Sequence, residues 1–164
     1  MKILIKIFCI LAVIGFVLSF FAHFSTYFMN PQRNFPFLWI LHVGIFIVGM
    51  PAVFVAKYKN PGSDKRASLF EKVKSASVWI QILCVVFILY TVINFGLFGA
   101  LTKDGNPDII SGNYVISNHG KIVRVISEDE YEKHRSYEVR GFSGAWMLFY
   151  IIFSAMLFSQ WEKE

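Results

Sequence analysis

Charge is scarce in this sequence. Asp, Glu, Lys and Arg make up 16% of its 164 residues, where a soluble domain averages about 25%. The deficit is uneven: long stretches hold almost no charge, and the charges crowd into two segments. That excludes a disordered tail and argues against a soluble enzyme. Cysteine is scarce too. Cys9 and Cys84 both lie inside apolar runs, which excludes an extracellular disulfide framework and reads as two thiols packing as small hydrophobes. Motifs that carry chemistry are missing as well. There is no nucleotide-binding glycine loop, HExxH, paired CxxC, GxSxG or DxDxDG. No internal repeat stands out, which argues against an inverted-repeat transporter core. No enzymatic activity, catalytic residue or metal site is therefore assigned.

What is present is apolar. Hydrophobic residues make up 55% of the chain, and mean hydropathy is +0.52. Four runs stand out: 3–24, 35–56, 78–101 and 142–161. About 20 apolar residues cross the ~30 Å hydrocarbon core of a bilayer as a helix. Without water to satisfy the backbone, such runs must be helical. The first run resembles a signal peptide at Lys2 and Lys6, but Phe20, Phe21, Phe24 and Phe28 crowd the place where small residues mark cleavage. It is read as a retained helix. Pro51 inside the second run removes a donor and predicts a kink. Gly96 and Gly99 in the third run, with Gly141, Gly144 and Ala145 in the fourth, predict close helix approach.

The basic excess sets orientation. Residues 57–76 carry six Lys or Arg against Asp64 and Glu71, a net of +4, while residues 102–141 carry six basic and seven acidic side chains. A short basic loop stays cytoplasmic, so both termini are expected in the cytoplasm and residues 102–141 outside. This distribution fits membrane insertion better than nucleic-acid binding. Lys65, Arg66, Lys72 and Lys74 are candidates for lipid headgroup contact. Tyr27, Phe28, Trp39 and Trp146 are expected in the outer aromatic belt, with Tyr58, Trp79 and Trp161 in the inner one. Gln81 and Gln160 read as near-interface positions where polarity costs little.

Residues 102–141 form the only sizeable polar insert. Asp104-Gly105 and Asn106-Pro107 read as turns. The β-branched residues around Asn118-His119-Gly120-Lys121 predict a hairpin, with Gly120 supplying a positive φ. Ser127 followed by Glu130 is a capping box. A short polar helix is expected from about Glu128 to Val139, with a bend at Gly141 before the last span. Arg135 and Glu138 stand three apart on its surface and suit an ion pair.

All four histidines, His23, His42, His119 and His134, fall on the outward half in this topology. Ionisable groups in a membrane are functional candidates because burying them unpaired is costly. Three readings follow. The first is a non-catalytic membrane protein acting by contact with a membrane partner, as a complex subunit, assembly factor or immunity-type protein, or by self-association. The second is a haem- or metal-binding redox or transport component using His23 and His42. The third is a transporter or channel moving a small solute through the bundle, where four short spans form a pore only as an oligomer. The blander account of the same residues has His23 at the headgroup level and His42 hydrogen-bonded to Asn94, Tyr90 or water. The expected fold is an all-α bundle of four transmembrane helices in the cell membrane, with a hairpin and short helix inserted before the last. No cofactor and no nucleic-acid partner is expected. The surface to examine is His23, His42, Asn94, His119, Arg135, Glu138 and Arg140.

Overall fold

The computed structural model describes residues 2–58 and 78–161. Most of the basic loop, including Lys65, Arg66, Lys72 and Lys74, lies outside the described residues. The chain forms α1 (Lys2–Ser25), α2 (Pro31–Asn34), α3 (Ile40–Tyr58), α4 (Val78–Leu101), β1 (Asn106–Ile110), β2 (Asn113–Asn118), β3 (Lys121–Val125) and α5 (Glu128–Trp161). Four of these, α1, α3, α4 and α5, are long and apolar enough to cross a membrane.

Local chemistry explains the boundaries. Asn30 caps α2, its Oδ1 accepting the Gln32 amide at 3.0 Å, with Pro31 at the first helical position. There proline's missing donor is harmless. This one-turn helix delays the second apolar run, which becomes helical only at Ile40. α3 continues through Pro51. Ser127 caps α5 as expected, accepting the Glu130 amide at 3.2 Å, and three acidic residues fill the first turn, where the helix dipole favours them.

Four expectations need correction here. The polar helix and the fourth span are one continuous helix of 34 residues. Within that helix Gly141 lies against α4: a Cβ there would lie 2.7 Å from the Phe98 ring, so glycine is needed for close approach. The insert is a three-stranded antiparallel sheet, β1-β2-β3, not a lone hairpin. Asn106-Pro107 opens β1, which Pro107 can do because β1 is an edge strand. The expected turn at Asp104-Gly105 is present, the Gly105 amide donating to the Thr102 carbonyl at 3.0 Å; the β1–β2 turn lies at Ser111-Gly112, where both residues have positive φ, as do His119 and Gly120 in the second turn. Paired left-handed residues in two-residue loops match the twist of a hairpin. Finally, Gly96 and Gly99 face open space among the described residues, so they serve no close helix contact there.

α5 is the hub of the bundle and packs against α1, α3 and α4. Tyr150 anchors it. The ring is 2% exposed and lies where a Cβ on Gly15 of α1 or Gly44 of α3 would collide with it. Its hydroxyl donates to the Leu41 carbonyl at 2.8 Å. Gly49 makes similar room for Phe153. Trp146, expected in the outer belt, is instead 1% exposed and packs edge-on against Trp39. Gln160 is likewise buried, at 3% exposure. By contrast α4 buries only Cys84 and Asn94; Phe87 packs on Phe16 and Phe98 on Phe142, and most of its other apolar side chains are exposed. The sheet docks on the first turns of α5 through β1 and β2, with the Tyr114 ring 5.0 Å from that of Tyr131, and Val115 and Ile116 are buried within it.

Candidate functional site

The sheet end of the bundle gathers the polar side chains that the apolar helices otherwise lack. His23, at the last turn of α1, is 6% exposed. Its Nδ1 lies 2.9 Å from Ser143 Oγ on α5, and its Nε2 meets the hydroxyl of Tyr90 on α4. Ser143 Oγ donates in turn to the Arg140 carbonyl at 3.3 Å. One assignment satisfies all three contacts. Tyr90 donates to Nε2, Nδ1–H donates to Ser143, and Ser143 donates to the backbone, leaving a neutral imidazole. In that arrangement His23 cannot act as a base toward Ser143, and Ser143, at 0% exposure, is closed to a substrate. The chain of hydrogen bonds ties three helices together.

Asn94 adds a second clasp between α4 and α5. Its Nδ2 donates to the carbonyls of Arg140 at 2.9 Å and Gly141 at 3.1 Å. Thr91, one turn earlier, donates to the Phe87 carbonyl of its own helix at 2.7 Å, with the Gly144 carbonyl of α5 only 3.3 Å from the same hydroxyl oxygen. The side chain of Arg140 reaches the other way, to the α1–α2 turn. Its Nε donates to Thr26 Oγ1 at 2.9 Å and an Nη to the Thr26 carbonyl at 2.7 Å. The guanidinium lies 4.0 Å from the centroid of Tyr27 and 5.6 Å from that of Tyr137, close enough for cation–π attraction.

A third cluster lies one to two turns further out. Arg135 pairs with Glu138 at 2.5 Å and donates to Gln32 Oε1 at 2.8 Å, while Asn30 donates to Glu132 at 2.5 Å. These bonds fasten α2 to α5. Burial pushes the Glu138 carboxyl up, and the adjacent Arg135 opposes that shift. Nearby, Arg124 of β3 pairs with Glu130 at 2.6 Å and holds that carboxyl below its ordinary range. Burial lowers His134, which sits 3.9 Å from Glu130.

The residues singled out from the sequence therefore divide. His23, Asn94 and Arg140 join one network, and Arg135 with Glu138 forms its neighbour. His42 stands apart: its Nδ1 accepts the Trp146 indole N–H at 3.1 Å, a partner other than the expected Asn94, Tyr90 or water. His119 sits exposed at the β2–β3 turn. Thr26, Tyr27, Tyr137 and Ser143 were not singled out. The available signal was that Tyr90, Thr91 and Asn94 are the polar residues in their half of an apolar helix, and Ser143 the polar residue beginning the next.

With Nε2 taken by Tyr90 and Nδ1 by Ser143, His23 offers haem iron no free lone pair. Among the described residues, no group of three or more His, Cys, Asp or Glu side chains is gathered to hold a metal. Comparison with known proteins found no family model that matches the chain, and no curated protein or solved structure similar to it.

Proposed function

We propose that this is a multi-pass protein of the plasma or bacterial inner membrane, with both termini cytoplasmic, that acts by contact with a membrane protein partner. Its four apolar helices leave most of their surface exposed, α4 above all, as a lipid-facing bundle does. The basic loop of residues 57–76 supports the orientation. The polar side chains at the sheet end bond one another and tie α1, the α1–α2 turn, α4 and α5 together, which suits a scaffold that presents a surface.

The observation that carries contact is β3. All five of its residues are exposed, including Ile122 at 53%, Val123 at 52% and Val125 at 68%. Its outer edge pairs with no strand among the described residues. An edge strand of this kind is a template for another strand. The opposite edge is blunted: Pro107 has no amide to offer, and the Ile109 amide is taken by Asp108 Oδ1 at 2.8 Å. The proposed occupant is an extended, apolar segment of a partner protein lying along β3.

A photo-crosslinking residue at position 123 tests this in native membranes. The expected result is one discrete protein adduct at 123, with none at Leu89 on the lipid-facing side of α4. No adduct at 123, or adducts of equal yield at both positions, would overturn it. An adduct of twice the chain's own mass would show self-association instead.

A further inference from the structure

Beside the Arg140 network lies a polar cleft of about 460 Å³, lined by Thr26, Tyr27, Lys133, Ser136, Tyr137 and Arg140 among others. Two cations face it. Among the described residues, Arg140 has no carboxylate within ion-pair distance; its contacts are the Thr26 oxygens and the two tyrosine rings. Lys133 lies seven residues earlier on α5, which returns to nearly the same helix face after two turns. It too has no ion pair among the described residues. Glu132 also lines the cleft, but its carboxylate is answered by Asn30 at 2.5 Å and Arg33 at 3.9 Å. The cleft is therefore net positive. A half-buried guanidinium without a counter-ion carries a desolvation cost that an anion would relieve.

The second observation is what adjoins it. The cleft meets a larger apolar groove, of about 810 Å³, at Phe28 and Met29. That groove runs along α1 past Phe24 and Phe21 to Leu18. From Ser25 to Leu18 is about 10 Å at the helical rise. A polar cationic cleft opening onto an apolar groove parallel to a helix fits one molecular shape: a phosphate attached to acyl chains.

We infer that this is a phospholipid site. The phosphate lies between Arg140 and Lys133, and an acyl chain lies along Leu18, Phe21 and Phe28. Guanidinium suits a phosphate because its fork of donors matches two oxygens, and here two of its nitrogens are already fixed by Thr26. Tyr27 and Tyr137 occupy the interfacial level that aromatic rings prefer. The inference rests on the membrane placement proposed above.

The test uses the full chain, stripped of lipid in maltoside detergent, with binding read by native mass spectrometry and thermal shift. Three probes separate the sources: phosphatidylglycerol, diacylglycerol with the same chains, and inorganic phosphate. The expected result is saturable binding and a raised Tm with phosphatidylglycerol alone. Lys133→Gln, a surface change, should weaken binding about fivefold, and Arg140→Lys about tenfold. Lys121→Gln on the sheet should change nothing. Equal effects of phosphatidylglycerol and diacylglycerol would overturn the headgroup assignment. Inorganic phosphate binding as tightly as the lipid would overturn the acyl groove. Unchanged affinity in Lys133→Gln, which leaves the Thr26 clasp intact, would overturn the site itself. Failure of the membrane placement is distinguishable from all of these: the chain would then stay monodisperse once detergent is removed.

Discussion

Replacing Tyr150 with alanine is expected to cost about 3 kcal/mol of bundle stability, in the range for truncating a packed aromatic residue. The ring fills the space between α1 and α3 that Gly15 and Gly44 leave open, and no neighbour can collapse into it without moving a helix. Tyr150→Phe keeps the ring and removes only the bond to the Leu41 carbonyl, so it should cost about 1 kcal/mol or less. Gly15→Val attacks the same contact from the other side. Its Cβ would lie 2.7 Å from Tyr150 Cδ1, and overpacking of that kind costs about 1–3 kcal/mol. Unfolding in mixed micelles, followed by tryptophan fluorescence, measures all three. The order Ala worst, Val next, Phe mildest is the expected outcome. A Tyr150→Ala protein as stable as the parent would contradict the packing described here.

The second large effect is expected at Asn94. α4 buries two residues, and on the membrane placement proposed above its apolar surface gains nothing by leaving lipid for protein, since lipid tails are as apolar as leucine. Its attachment therefore depends on a few specific contacts: Asn94 to α5 backbone carbonyls, Tyr90 to His23, Phe87 edge-on to Phe16, and Phe98 over Gly141. Asn94→Leu removes two of the hydrogen bonds and places a branched side chain against Gly144. The expected cost is about 1–2 kcal/mol, enough to loosen α4 in a fraction of molecules. Spin labels at Phe95 and on the exposed face of α5 at Phe149 should report a broadened distance distribution in the variant. A distribution as narrow as the parent's would mean that α4 is held by something other than this clasp.

Local signals in the sequence were readable, and long-range partners were not. The apolar runs, the positive φ at Gly120, the Ser127–Glu130 cap and the Arg135–Glu138 pair all depend on residues within a few positions of one another. Each appears in the structure as its neighbours dictate. Strand β1 was hidden because Pro107 in a short segment signals a turn unless the strand is known to lie at an edge. The buried faces were hidden for a different reason. A helix apolar on every side carries no amphipathic period, so nothing in the spacing of α1 or α5 marks Gly15, Trp146 or Tyr150 as inward. The same uniformity concealed the site. His23 and Ser143 are 120 positions apart, and both histidines in the apolar runs looked equivalent until packing placed His23 beside Tyr90 and His42 beside Trp146.

The central claim is that the bundle crosses a membrane with its sheet outside and its basic loop inside. Labelling by a membrane-impermeant maleimide tests it directly, with His119→Cys at the sheet's turn and Lys65→Cys in the basic loop. The native thiols give little background, since Cys9 is 5% exposed and Cys84 is 2% exposed. Intact cells are expected to label position 119 at once and position 65 only after permeabilisation. Labelling of 65 but not 119 in intact cells, or of both, would contradict the account.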